Sequence, residues 1–220
     1  TLPQFFDETC QLYAERPAFS CMGKTLRFDD LGRLSDQFAS YLQRHTPLQP
    51  GDRVAVQLPN CLQYPVVAMG LIKAGMVLVN TNPLYTPVEI AHQFSDAGVK
   101  ALIVLSAMAV NIETAIQQHG LALERVIVTD VADLHDWPAR TVINLAAKYL
   151  KKMVPNYHRP RAISLLQALR LGAEKPYAKP ELSASQTAVL QYTGGTTGVA
   201  KGAMLSHVNL NANRLQCAEY

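Results

Sequence analysis

The spacing of apolar positions changes period repeatedly along this 220-residue chain. Leu31, Leu34, Phe38, Tyr41 and Leu42 recur at three- and four-residue steps, the signature of one helix face. Asp29 or Asp30 is the expected N-cap of that helix. Before it, residues 3–16 carry helical spacing, and 18–28 read as two short strands around Gly23. Residues 47–52 stop the helix. From Arg53 onward the pattern alternates. RVAVQL (53–58) predicts a buried strand, 62–74 a helix ended at Gly75, and MVLV (76–79) a strand. Thr86-Pro87 opens a helix that Gly98 ends. ALIVL (101–105) is a strand, 111–119 a helix, and RVIVT (125–129) a strand. Short apolar runs separated by helices of about a dozen residues imply βαβ units. The expected fold is α/β: three layers, with a mostly parallel sheet and flanking helices.

Between 131 and 180 the alternation gives way. Residues 141–180 hold eight basic side chains against Glu174 alone, a net +7 that leaves −4 for the rest of a +3 chain. Within TVINLAAKYLKKMV, Val142, Leu145, Ala146, Tyr149 and Met153 share one helical face, and Asn144, Lys148, Lys151 and Lys152 share the other. This predicts a helix packed on the sheet with a solvated basic face. The alternative is a surface helix touching anionic lipid. Residues 182–192 return to strand pattern, 202–205 form a second strand, and Ser206 caps a final helix, 208–218. The chain thus divides into a βαβ subdomain (1–130), a basic helical insert (131–180), and a strand, loop and helix (181–220).

Composition narrows the function classes. A net charge of +3 with pI near 8.7 is too weak to imply nucleic acid. The four cysteines show no CxxC spacing and no His pair stands at ligand spacing, so neither a zinc site nor a disulfide framework is indicated. This fits a reducing, cytoplasmic compartment. No apolar run reaches membrane-spanning length, and the N-terminal residues lack signal-peptide organisation.

The chemistry concentrates in QYTGGTTGVAKGAMLSH, residues 191–207. A strand runs directly into a stretch of glycines and threonines that ends in a lysine. Glycine lets consecutive N–H groups approach and encircle an anion. Thr193, Thr196 and Thr197 add hydroxyls, and Lys201 adds a positive charge. Such a loop suits a polyphosphate. It is not a Walker A loop, because Ala200 precedes Lys201 and Gly202 follows it, and it lacks the dinucleotide G-x-G-x-x-G spacing. Other residues read as structural. Asp29-Asp30 suits a helix start better than an acid–base pair. His207 suits a first helical turn, with phosphate contact as the alternative. Tyr85 suits packing, and Pro83 and Pro87 bracket a rigid turn. No G-x-S-x-G nucleophile elbow is present.

The run Tyr192, Thr193, Gly194, Gly195, Thr196, Thr197, Gly198, Val199, Ala200, Lys201, Gly202, Ala203 resembles the phosphate motif of the adenylate-forming superfamily. That superfamily comprises acyl-CoA synthetases, luciferases and peptide-synthetase adenylation domains. The usual form is YTSGTTGxPKG; this chain departs from it at Gly195 and Ala200. Those departures, with GDRVA (51–55), LIKAG (71–75), VNTNPLYTP (79–87), VPNYH (154–158) and KPEL (179–182), resemble bacterial long-chain fatty acid–CoA ligases. The resemblance implies the N-terminal subdomain of the adenylate-forming fold, with ATP, Mg²⁺, coenzyme A and a fatty acid as reactants. It implies that residues 192–203 hold the nucleotide phosphates, with Thr193 and Lys201 acting on the reacting groups and no metal ligand in this stretch. The superfamily's later motifs (Y-G-x-T-E, a ribose-binding Asp, a hinge, a catalytic lysine) are not found, so an N-terminal piece that is inactive alone is expected. Its uncovered sheet edge implies self-association. A cytoplasmic protein is expected, with peripheral inner-membrane contact through 141–180 as the alternative to a solvated basic face. The alternatives are a medium-chain or aryl acyl-CoA ligase, or a non-catalytic nucleotide- or lipid-binding module.

Overall fold

A computed structural model describes residues 1–151, 154, 162–193 and 200–218. Its central sheet has seven strands in the order β7-β6-β5-β3-β4-β8-β9. These are β3 (Arg53–Gln57), β4 (Val77–Asn80), β5 (Val99–Leu105), β6 (Arg125–Thr129), β7 (Ala162–Ser164), β8 (Thr187–Thr193) and β9 (Lys201–Ser206). All neighbours pair in parallel except β8 and β9, which form an antiparallel hairpin. A separate two-stranded ribbon, β1 (Pro17–Cys21) and β2 (Lys24–Arg27), turns at Met22-Gly23.

Alternate residues of each central strand enter opposite cores, as a two-faced sheet requires. Val54, Val56, Leu78, Ile103 and Ile127 face one layer, built from α2 (Phe28–His45), α3 (Gln63–Lys73) and α7 (Leu165–Gly172). Ala55, Val79, Leu102, Val104 and Val128 face the other, built from α4 (Pro87–Ala97) and α5 (Ala109–His119). The three-layer α/β expectation holds. Helix α1 (Leu2–Leu12) packs on the α2 and α3 side.

Helix α4 carries both of its predicted punctuation marks. The Glu89 N–H donates to Thr86 Oγ1 (3.4 Å) while the Thr86 N–H donates to Glu89 Oε2 (2.8 Å), a complete capping box. Gly98 ends the helix with φ +62°, in the left-handed region that glycine tolerates. Helix α2 corrects the N-cap expectation. It starts at Phe28, directly out of β2, because the Phe28 N–H is bound by the Arg16 carbonyl (3.1 Å). Asp29 and Asp30 therefore lie inside the first turn and do not cap it, where they complement the helix dipole.

The region after β6 also differs from expectation. Strand–helix alternation resumes within it: β7 adds to the sheet beside β6, and α7 packs against α2. Before them, α6 (Ala139–Leu145) passes into a π-helical turn, Ala146–Leu150. The predicted packing of the Val142, Leu145, Tyr149 face on the sheet is not observed, because neither segment buries a residue. Asn144 docks the helix instead. Its Oδ1 accepts from the Ala132 N–H (2.9 Å) and its Nδ2 donates to Asp133 Oδ1 (3.1 Å). Lys152, Met153 and 155–161 lie outside the described residues.

Candidate phosphate-binding site

Strand β8 lies parallel to β4, with Leu78, Val79 and Asn80 opposite Val189, Leu190 and Gln191. Both strands therefore end at the carboxyl edge of the sheet, where open α/β sheets bind ligands. Thr193 and Lys201 are the last paired residues of the β8–β9 hairpin. They face each other across its mouth, and both are exposed. Gly194, Gly195, Thr196, Thr197, Gly198 and Val199 lie outside the described residues. The structure thus places the two shoulders of the predicted loop and brings Thr193 and Lys201 together.

Helix α4 grips both shoulders. The Tyr192 phenol donates to Asp96 Oδ2 at 2.5 Å. On the other strand His92 Nε2 lies 3.4 Å from the Ala200 carbonyl, so the ring donates from its Nε2–H. His92 and Asp96 stand four residues apart, one above the other on the helix. Burial and the adjacent Asp96 carboxylate push the Tyr192 phenol pKa up. Gly202 pairs with Tyr192, and a Cβ there would meet the Tyr192 ring at 2.9 Å. Glycine at 202 is thus needed for the ring to lie across β9. Ala200 and Tyr85 both pack on the cluster that contains Tyr192, and Ala203 is exposed on β9.

A second tier of hydrogen bonds lies beneath. The Tyr64 phenol donates to Asn80 Oδ1 (2.8 Å), Asn80 Nδ2 donates to Gln191 Oε1 (2.7 Å), and Gln93 Nε2 donates to the Asn80 carbonyl (2.8 Å). This chain links α3, β4, β8 and α4 under the loop. His92, Asp96, Asn80, Tyr64, Gln93 and Gln191 were not singled out from the sequence. Their contacts span up to 111 residues, and no local spacing signals them.

Ser206 caps the last helix, α8 (His207–Ala218), as expected. Its Oγ accepts the Asn209 N–H (3.2 Å), and Asn209 Oδ1 accepts the Ser206 N–H (3.0 Å). His207 is buried at the start of α8, and burial pushes its imidazole pKa down. Among the described residues, no carboxylate pairs with Lys201 and no cluster of His, Cys, Asp or Glu could hold a metal ion. The arrangement offers an unpaired cation and a hydroxyl at the mouth of a hairpin braced from one side.

The model of the AMP-binding enzyme family matches residues 6–220. The chain belongs to the AMP-binding enzymes. It is 46% identical over 213 residues to a long-chain-fatty-acid–CoA ligase of Salmonella typhimurium, covering 97% of this chain and 38% of that protein. It is 35% identical to a Bacillus subtilis protein of the same name, covering 100% of this chain and 39% of the relative. The crystal structure of a long-chain-fatty-acid–CoA ligase from Archaeoglobus fulgidus superposes with a TM-score of 0.75 at 25% identity, over 99% of this chain and 39% of that one. This AMP-binding chain therefore spans well under half the length of these relatives. Among its described residues, no helix is long and apolar enough to cross a membrane.

Proposed function

We propose that the chain is the N-terminal part of a long-chain fatty acid–CoA ligase. The whole enzyme joins a fatty acid to ATP, releasing pyrophosphate, and then transfers the acyl group from AMP to coenzyme A. The observation that carries this reading is the braced hairpin mouth, with Thr193 and Lys201 at the carboxyl edge of a parallel sheet. Adenylyl transfer requires that the departing pyrophosphate be held and its charge neutralised. The Lys201 ammonium supplies charge and the Thr193 hydroxyl donates a hydrogen bond across the mouth of the hairpin. Tyr192 and Gly202 set the hairpin beneath those two residues.

Mg²⁺ accompanies the nucleotide phosphates in this reading, as a hard cation that takes oxygen ligands from substrate phosphates. Acyl-group selection and the second half-reaction belong to the length that this chain does not span. Alone, the chain is expected not to turn over. The same proposal places the protein in the cytoplasm, in peripheral contact with anionic membrane through 141–180. It also expects self-association of the isolated chain along β9, an edge strand with Met204 exposed. The test is calorimetric titration of the chain with Mg·ATP beside Lys201→Ala. Loss of one charge-assisted contact, about 1.5–3 kcal/mol, predicts roughly ten- to hundredfold weaker binding in the variant. Equal affinity in the two proteins would remove Lys201 from the site.

A further inference from the structure

An ordinary surface helix turns its apolar stripe inward and its polar face to water. The segment after β6 leaves its apolar stripe outside. It is held by polar groups: Asn144 binds Ala132 and Asp133, and just before the helix Asp136 pairs with Lys24 at 2.7 Å. Its large apolar side chains are left outside. Trp137 is 78% exposed, Val142 62%, Leu145 50%, Tyr149 64% and Leu150 83%. Monomers tolerate single exposed apolar residues, but a run of five within fourteen positions, 137–150, marks an interaction surface. Three bases share the stretch, Arg140, Lys148 and Lys151, and no acid occurs from 137 to 151. The Lys148 ammonium lies 5.4 Å from the centre of the Tyr149 ring.

We propose that residues 137–151 are the surface by which this protein lies on an anionic lipid bilayer, Trp137, Val142, Leu145, Tyr149 and Leu150 entering the acyl boundary and Lys148 and Lys151 meeting lipid phosphates. The inference rests on the lipid-contact reading of 141–180 and assigns that contact to one segment, in which Lys148 and Lys151 start from the Asn144 side of the helix but are exposed, the Lys148 ammonium reaching the Tyr149 ring. Aromatic rings and aliphatic side chains beside lysines are the composition that binds at a membrane interface. Charge selects this occupant over a second copy of the chain, because two such faces would bring like charges together. The face also stands apart from the β8–β9 hairpin. The segment follows β6, five strands from β9 in the sheet order, or about 24 Å at the usual strand spacing of about 4.8 Å.

The chain contains a single tryptophan, Trp137, so its emission reports on this face alone. The intact chain is titrated with phosphatidylcholine vesicles containing or lacking phosphatidylglycerol, following emission and co-sedimentation. A blue shift is expected with anionic vesicles, together with quenching by acyl-chain-brominated lipid. Affinity for neutral vesicles should be at least tenfold weaker. Each lysine near an anionic surface contributes about a fivefold factor, so Lys148→Gln with Lys151→Gln should weaken binding about 25-fold. Leu145→Glu with Leu150→Glu, both at exposed positions, should abolish the shift while leaving the urea midpoint unchanged. Binding that persists in the Leu→Glu variant would overturn this face and leave a lipid contact elsewhere in 141–180. Absence of binding to either vesicle would overturn both readings, and a lipid-free, concentration-dependent blue shift would assign the face to self-association instead.

Discussion

Replacing Gly202 by alanine tests whether the hairpin is set by Tyr192. The added Cβ would stand 2.9 Å from Tyr192 Cε2, 3.0 Å from Cζ and 3.3 Å from Oη. Carbon atoms in contact settle at about 3.5–4.0 Å, so the ring must retreat by roughly 0.5–1 Å. It cannot do so freely, because its hydroxyl is held 2.5 Å from Asp96. Overpacking of this kind costs about 1–3 kcal/mol. A hydrogen bond to a charged group contributes about 1.5–3 kcal/mol, but Asp96 is exposed and solvent screening reduces its share to about 1 kcal/mol. Because β9 is an edge strand that can yield, the low end applies to both terms, and the expected loss is about 2 kcal/mol. Urea denaturation measures it directly. In a Tyr192→Ala background the same glycine replacement should cost almost nothing, and the difference between the two backgrounds is the coupling energy. A loss below about 0.5 kcal/mol in the native background, or the same loss in both, would refute the reasoning.

Other expectations follow from the packing of the opposite layer. A Cβ on Gly172 would lie 1.8 Å from the Gln37 carbonyl oxygen, so Gly172→Ala must push α7 off the α2 backbone. It should cost more than about 3 kcal/mol, and a thermal melt within about 2 °C of the native chain would contradict this close approach. Lys73 is buried, 2.7 Å from Asp7 and 2.5 Å from Asp36. Lys73→Met leaves two carboxylates short of their partner, and because both retain some solvent the cost should be about 2–3 kcal/mol, read from urea midpoints at pH 7. Burial works against ionisation of Asp7, but hydrogen bonds from Lys179 and Lys73 outweigh it and hold its pKa below the usual carboxylate value. Its contribution is therefore present above about pH 3.8 and is lost as pH falls through the lower folded value. Lys73→Met should flatten that acid limb, and an unchanged limb would count against the assignment.

Much of the architecture was legible because its signals are local. Thr86, Pro87, Glu89 and Gly98 specify both ends of α4 within a dozen residues, and RVAVQ, ALIVL and RVIVT are too apolar for anything but buried strands. Strand order was not legible. Helix α4 carries the chain from β4 back across β3 to β5, and nothing in the spacing says which neighbour β3 accepts. Strand β7 escaped notice because three residues, AIS, cannot show a period. The Asp29-Asp30 cap failed because the start of α2 is fixed by a long-range partner, Arg16, and not by its own side chains. At the site, the motif named Thr193 and Lys201 but could not reveal the residues that hold them in place. Those residues come from α4, α3 and the strands β4 and β8, whose sequence spacing serves their own packing.

Helices α6 and α4 are each fixed by polar side chains that periodicity does not reveal. Periodicity says which residues share a face, but not what covers that face. In α6 a single polar residue, Asn144, settled the question by fixing its side toward Asp133. Packing the apolar face inward would have carried Asn144 away from both of its partners and left Asp133, which is buried, with one donor fewer. In α4 the exposed polar face was also unreadable by period, yet His92 and Asp96 on it brace both strands of the hairpin. Each device fixes an element through side chains that a hydrophobicity pattern scores as solvent-facing. The sheet below the hairpin is packed on both faces, and its shoulders add two hydrogen bonds from a single helix to the pairing of β8 with β4 and β9.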